Sequence, residues 1–261
     1  CLALFSSRKG AWHRSHRASG HQLSNSYHPG MRLPSLIPAR LIRRYKRFLA
    51  DVRLDDGAVL AVHCPNSGSM KTCLGEGWPV MLSTSNNPKR KYPHTLEMVH
   101  NGSCWIGINT QRANAVVEEG IRTGAVPELA AFDELSREVR LGETSRIDLV
   151  LDRAGRRTWI EVKNVTLVDE RGRYAFPDAV TARGAKHLRE LATAVSAGDR
   201  ALMFYLIQRA DGSVFTGANE IDPGYGDELR RAIDAGVEVL AYRAEVTPEE
   251  IRVVSRVPVE L

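Results

Sequence analysis

The chain has 261 residues, 43% of them hydrophobic and 26% charged, a globular composition with room for one large domain or two modest ones. No run approaches the ~18 consecutive apolar residues of a membrane span, so no membrane partner is expected. The four cysteines show neither CxxC nor dense spacing, which excludes a disulfide scaffold and points to free thiols in the cytoplasm. The formal net charge of +5 is unevenly spread: residues 1–30 hold four basic residues and no acidic one, residues 31–100 hold eleven Lys/Arg against five Asp/Glu, and residues 101–261 hold 21 against 26. A basic front half suits polyanions, and an acidic back half is compatible with a metal site.

Residues 1–30 read as an unstructured leader, rich in Ser, Arg and His, and Met31 as the natural start. Beyond Arg40 the signals are strand signals: YKRFLADV (45–52), AVLAVHC (58–64), WPVML (78–82), HTLEMV (94–99) and SCWIGINT (103–110), separated by Gly- and Asn-rich turns. Five short strands in about seventy residues fit a small closed barrel, most commonly of the oligonucleotide-binding (OB) type, with a half-open sandwich as the competing reading. After residue 110 strands alternate with helices. Helices are expected over 113–124, 178–198 and 225–236, with a further helical turn or two over 127–132. Strands are expected over 137–142, 146–151, 158–163, 201–208 and 237–246. The almost wholly apolar run ALMFYLIQ (201–208) marks a strand covered on both faces, hence an α/β domain with a mixed sheet. The expected organisation is α+β with two domains, a barrel over 31–110 and a second domain over 111–261.

The hairpin SRIDLVLDRAGRRTWIEVKNV (145–165) carries the chemistry. A two-residue loop at Ala154-Gly155 sets Leu149 opposite Ile160, Val150 opposite Trp159 and Asp148 opposite Glu161. Like charges directly opposite are destabilising. A divalent cation between them turns the repulsion into binding: Mg²⁺, or Mn²⁺, takes carboxylate oxygens, with the Val162 carbonyl as a third ligand. Lys163, two residues past Glu161, shares its face and is placed to orient a water and to offset charge on a phosphate. Without metal, the two carboxylates are expected to raise one another's proton affinity. On the helix that follows, Arg183, Lys186, His187 and Glu190 share one face and could meet phosphate oxygens.

The strings RLIRRYKRFLADV, HCPNSGSM, STSNNPKRKYPHT, SRIDLVL, WIEVKNVTL and FPDAVTARGAKHLREL, in this order, resemble the sugar fermentation stimulation protein A family from about residue 37 to 261. The resemblance implies an N-terminal OB barrel and a restriction-endonuclease-like domain of the PD-(D/E)xK type. It also implies non-specific DNA binding and an association with sugar (maltose) utilisation genes. Asp148, Glu161 and Lys163 match the motif's aspartate, glutamate and lysine, with Ile147 where the short form has proline. Nucleases of this fold often add an acidic residue from the first helix, for which Glu119 is the candidate and Glu138 the alternative.

In the front half, Arg43, Arg44, Lys46 and Arg47 cluster with Tyr45 and Phe48, and Lys89, Arg90 and Lys91 precede Tyr92. Basic residues interleaved with aromatics suit single-stranded or duplex DNA, and RNA as well, with weak sequence preference. Asn66, Gly68 and Ser69 read as a tight loop, either structural, or touching nucleic acid or closing over the active site. His63 and Cys64 are strand neighbours on opposite faces and do not make a nucleophile pair, and Cys64 with Cys73 lacks a zinc spacing. The sequence thus reads as a DNA-binding protein with a Mg²⁺-dependent nuclease site. The alternative is a non-catalytic regulator of sugar metabolism genes on a nuclease scaffold. Oligomeric state stays open, a dimer included.

Overall fold

The structure, a computed structural model, describes residues 29–142 and 145–261. The expected leader therefore lies almost wholly outside the described residues. The first described element, the two-residue strand β1 (Met31–Arg32), belongs to the second domain's sheet.

The barrel is formed by β2 (Ile37–Tyr45), β3 (Leu49–Arg53), β4 (Val59–His63), β5 (Pro79–Thr84) and β6 (His94–His100), with β7 (Trp105–Gly107) pairing to β6. The order β4-β3-β2-β5-β6 is closed by a parallel contact of β4 with β6 through His63 and Thr95. Closure satisfies both sheet edges and yields the five-stranded OB barrel. Its interior is aliphatic: Leu41, Ala50, Val52, Val62, Val80, Leu82, Leu96 and Ile106 are buried. Two of the expected strands differ. YKRFLADV is not one strand: Lys46 and Arg47 take positive φ, and Tyr45 pairs with Leu49 across a hairpin. The turn escapes the sequence because neither residue is Gly, Asn or Asp, the usual residues at positive φ. The first barrel strand is instead Ile37–Tyr45, and the run 103–110 contributes β7, outside the closed ring.

The second domain contains helix α1 (Ala113–Arg122), β8 (Glu134–Leu141), β9 (Ser145–Arg153), β10 (Arg156–Val165), β11 (Leu167–Val168) and β12 (Tyr174–Phe176). Helix α2 (Ala182–Ser196), β13 (Arg200–Ile207), β14 (Phe215–Gly217), α3 (Pro223–Asp234), β15 (Glu238–Val246), β16 (Glu250–Arg256) and β17 (Val259–Glu260) complete it. A seven-stranded mixed sheet runs β1-β16-β15-β13-β10-β9-β8, parallel at its centre (β10, β13, β15) and antiparallel towards both edges. A small sheet of β11, β12, β14 and β17 stands beside it. Helix α1 packs Ala113, Val116, Val117 and Ile121 on one face, and α2 and α3 pack Leu188, Leu191, Tyr225 and Leu229 on the other. Strand β13 shows why its sequence is apolar throughout: Leu202, Phe204 and Leu206 enter the first core and Ala201, Met203, Tyr205 and Ile207 the second. Truncating Phe204 to alanine should cost about 3–5 kcal/mol.

The β9–β10 hairpin has the expected loop, Ala154 and Gly155 both at positive φ, and the expected register, with Leu151, Val150 and Leu149 opposite Thr158, Trp159 and Ile160. The face that carries Trp159 is not solvated. Trp159 lies in the core beneath α2 and donates its indole N–H to Asp199 Oδ2 at 2.8 Å.

The two domains share a dense polar joint. Buried Glu97 of β6 accepts from Arg112 Nε (2.6 Å) and Nη2 (2.7 Å), Asn109 Nδ2 (2.9 Å) and Ser83 Oγ (2.5 Å), fixing the chain where it leaves the barrel. Arg209, only 3% exposed, donates to Thr72 Oγ1 of the barrel (3.0 Å), to the Thr166 carbonyl and to Asp211 (2.6 Å).

Candidate active site

The register places Asp148 and Glu161 one step beyond the Leu149–Ile160 pair, on adjacent strands. Asp148 Oδ2 accepts the Val162 amide at 2.8 Å and Oδ1 accepts Asn114 Nδ2, from the first turn of α1, at 2.8 Å. Glu161 is 2% exposed. Its Oε1 takes two donors, Lys163 Nζ at 2.6 Å and the Nδ1–H of His187 from α2. Arg183 Nε donates to His187 Nε2 at 3.4 Å, which fixes the proton on Nδ1. Glu161 Oε2 is buried and has no partner.

These groups line a cleft of about 470 Å³ bounded by both domains. The barrel contributes Asn66, Ser67 and Gly68; the joint contributes Thr110 and Gln111; the second domain adds Asn114, Glu138, Asn164, Asp178 and Arg183 to the carboxylates and Lys163.

The two carboxylates respond oppositely to this setting. Burial, then the charge of Glu161, raises the Asp148 pKa against the opposing bonds from Val162 and Asn114. Burial pushes Glu161 upward too, but the His187 bond and the Lys163 charge outweigh it and hold the carboxyl below its usual range. The expectation that each raises the other's proton affinity holds for Asp148 and fails for Glu161, because only Glu161 is hydrogen-bonded directly to the Lys163 ammonium and the His187 imidazole.

Several candidates are placed differently from their expected roles. Glu119 does not reach the cleft. It lines a separate hollow with Glu118, Arg122 and Arg137, and Asn114 is the α1 residue that meets Asp148. The alternative, Glu138, does line the cleft. His187 is 3% exposed, so it backs Glu161 and is not presented to a strand. Of its helix neighbours, Arg183 lines the cleft and Lys186 pairs with Glu190 at 3.7 Å. Arg44 and Arg47 turn their guanidinium groups onto the loop 65–70. Arg90 donates to Thr95 Oγ1 at 3.0 Å. Arg43 pairs with Asp51 at 2.8 Å and lies over Tyr45, and Lys91 lies over Tyr92. Asn114 and Asp178 were not anticipated. The one available signal was an Asn within the otherwise aliphatic first five residues of the helix, ANAVV, where it is a poor helix former.

Fold and site together define a two-domain protein: an OB barrel joined to a mixed-sheet domain that brings an Asp and a Glu-x-Lys to the edge of a shared cleft. Residues 42–108 match the SfsA N-terminal OB domain and residues 111–250 the sugar fermentation stimulation protein RE domain. The chain is 57% identical to the sugar fermentation stimulation protein homolog of Geobacter sulfurreducens over 224 residues, covering 86% of this chain and 96% of that one. It is 55% identical to the homolog of Pelobacter propionicus over 231 residues, 88% of this chain and 100% of that one. The structure of Pyrococcus furiosus SfsA in complex with Ca²⁺ superposes with a TM-score of 0.79 at 25% identity, covering 88% of this chain and 98% of that one. The chain belongs to the sugar fermentation stimulation protein family.

Proposed function

We propose that the protein binds nucleic acid through its barrel and cleaves phosphodiester bonds in the cleft with a divalent cation. The observation that carries this reading is the lone Glu161 Oε2: an ionised, buried carboxylate oxygen without a partner costs free energy unless a cation completes it. Asp148, Glu161 and the Val162 carbonyl would hold the ion, and their all-oxygen donor set fits Mg²⁺ or Mn²⁺. Ca²⁺ bound to the Pyrococcus furiosus relative supports a divalent-cation site in this fold. Such an ion supplies Lewis acidity and a water of lowered pKa when bound.

The chain's own residues do the rest. His187 and Asn114 hold the two carboxylates in fixed rotamers, so little reorganisation is needed when the site fills. Lys163 Nζ, beside Glu161, supplies a positive charge to a phosphate entering the cleft. Arg183 adds a second at the rim. Exposed Arg43, Lys46, Lys89 and Lys91 on the barrel give the sequence-independent attraction of a polyanion.

One observation favours the alternative, a regulator on a nuclease scaffold: among the described residues no three His, Cys, Asp or Glu side chains converge as a metal cluster. Incubation of labelled single- and double-stranded DNA with Mg²⁺, Mn²⁺ or EDTA separates the two. Cation-dependent cutting supports the nuclease. Salt-sensitive binding without cutting, unaltered in Asp148→Ala, supports the regulator.

A further inference from the structure

The loop Pro65–Met70 leaves the barrel after β4 and ends against the second domain. Its carbonyl groups are nearly all engaged. Thr110 Oγ1 donates to the Pro65 carbonyl (2.7 Å), Arg44 Nη2 to Asn66 (2.7 Å), Arg47 Nε to Ser67 (2.9 Å), Arg44 Nη1 to Ser69 (3.1 Å) and the Cys73 amide to Met70 (2.8 Å). Asn66 Oδ1 takes the Gly68 amide at 2.9 Å, and Asp178 Oδ2 takes the Met70 amide at 3.2 Å. Gly68 lies so close to Asp178 that a Cβ would come within 2.1 Å of its carboxylate, so only glycine admits this approach.

What the loop leaves over is donors. Ser67 is exposed and lines the cleft, and among the described residues neither its amide nor its hydroxyl has a hydrogen-bond partner. The Ser67 N–H belongs to the same peptide unit as the Asn66 carbonyl held by Arg44. A guanidinium on that oxygen polarises the unit and strengthens its N–H as a donor. Two arginines behind the loop add positive charge to it, against the single carboxylate of Asp178 at Gly68. That is the chemistry of an anion grip, in a cleft that also holds Lys163.

We propose that Ser67 binds a phosphate of one unpaired strand, through its amide and hydroxyl, and so presents the adjoining phosphodiester to Asp148, Glu161 and Lys163. Arg44 and Arg47 are positioning residues, and the Gly68–Asp178 contact holds the loop in place across the domain boundary. The cleft, about 470 Å³ with walls from both domains, has room for one nucleotide and its phosphate. A single strand or a frayed end is the substrate class that brings one backbone to Ser67 without its complement. The inference rests on the proposed reading of the cleft.

Disulfide capture tests it without turnover. Full-length Ser67→Cys is incubated in Ca²⁺ with an oligonucleotide carrying a thiol tether on one backbone phosphate, beside the wild type, whose own four cysteines, the partly exposed Cys104 among them, give the background. The single strand should be captured at about ten times the wild-type yield and a blunt duplex at background, since the yield reports local concentration. Capture no better than the wild type overturns the phosphate grip, and equal capture of single strand and duplex overturns the strand preference. Mg²⁺-dependent cleavage by the wild type is scored separately. Capture without cleavage leaves the phosphate site standing and removes the nuclease, whereas cleavage without capture does the reverse.

Discussion

His187 donates its Nδ1 hydrogen to Glu161 Oε1 from a buried position on α2, while Arg183 occupies the other ring nitrogen. The imidazole fixes one oxygen of Glu161 and leaves the other without a partner, open to the proposed cation. Replacing it should loosen the cation site without touching the barrel. His187→Ala is expected to weaken Mn²⁺ binding about 10- to 100-fold, with DNA affinity unchanged. Calorimetric titration with Mn²⁺ beside a DNA-binding isotherm checks both. Unchanged Mn²⁺ affinity would remove His187 from the site.

The acidic limb of the stability curve should depend on Glu97. Burial raises its pKa, but the bonds from Arg112, Ser83 and Asn109 prevail and hold it below the ordinary 4.5. A carboxyl whose folded pKa is depressed contributes stability that is fully present above its unfolded pKa and is lost as pH falls through the folded one. Glu97→Gln should cost about 3–5 kcal/mol at pH 7, because Arg112 loses its buried partner. The deficit should shrink below about pH 4.5 as the wild-type carboxyl takes up its proton. Urea midpoints at pH 7 and at lower pH measure the difference.

Arg209 ties the domains together, so its loss should be felt at their junction. Arg209→Ala leaves Asp211 with Asn101 as its remaining side-chain partner and removes the donor to Thr72 and Thr166. A destabilisation of about 3–5 kcal/mol is expected. In calorimetry the wild type should unfold in one transition and the variant in two, the barrel melting apart from the second domain. A variant that keeps one transition at the wild-type temperature contradicts the assignment.

On the barrel, the basic residues fall into two groups. Exposed Lys46 and Lys89 should behave as phosphate contacts: each alanine variant lowers DNA affinity evenly across sequences and reduces the salt slope by about one. Arg44, which holds the loop carbonyls of Asn66 and Ser69, should instead alter the cleft. Arg44→Ala is expected to impair cleavage more than binding.

Much of this was legible in the sequence where period and turn chemistry agree. Ala154-Gly155 set the register of the β9–β10 hairpin, and with it Asp148 and Glu161 as neighbours. The apolar run 201–208 identified the central strand because both its faces are covered. What escaped depended on contacts distant in sequence. Lys46 and Arg47 adopt a turn with no turn-forming residue, held by neighbours such as the Ser67 carbonyl. Strands of two or three residues, such as Leu167–Val168, have no period to detect. Glu119 was the obvious acid on α1, yet it lies five residues past Asn114, about 140° round the helix, and faces away from Asp148. The buried His187 read as part of a face turned to phosphates because Glu161, its partner, comes from another element.

The central claim is that Asp148, Glu161 and Lys163 divide the work of cutting a phosphodiester, the carboxylates holding the cation and the lysine serving the phosphate. The most direct measurement compares Lys163→Ala with Glu161→Ala for Mn²⁺ affinity and for single-turnover cleavage of a labelled single strand. The account predicts that Glu161→Ala loses both, and that Lys163→Ala keeps the cation while cleaving at least about a hundredfold more slowly. Wild type and both variants binding DNA equally, with no cation-dependent cleavage in any of them, would contradict it.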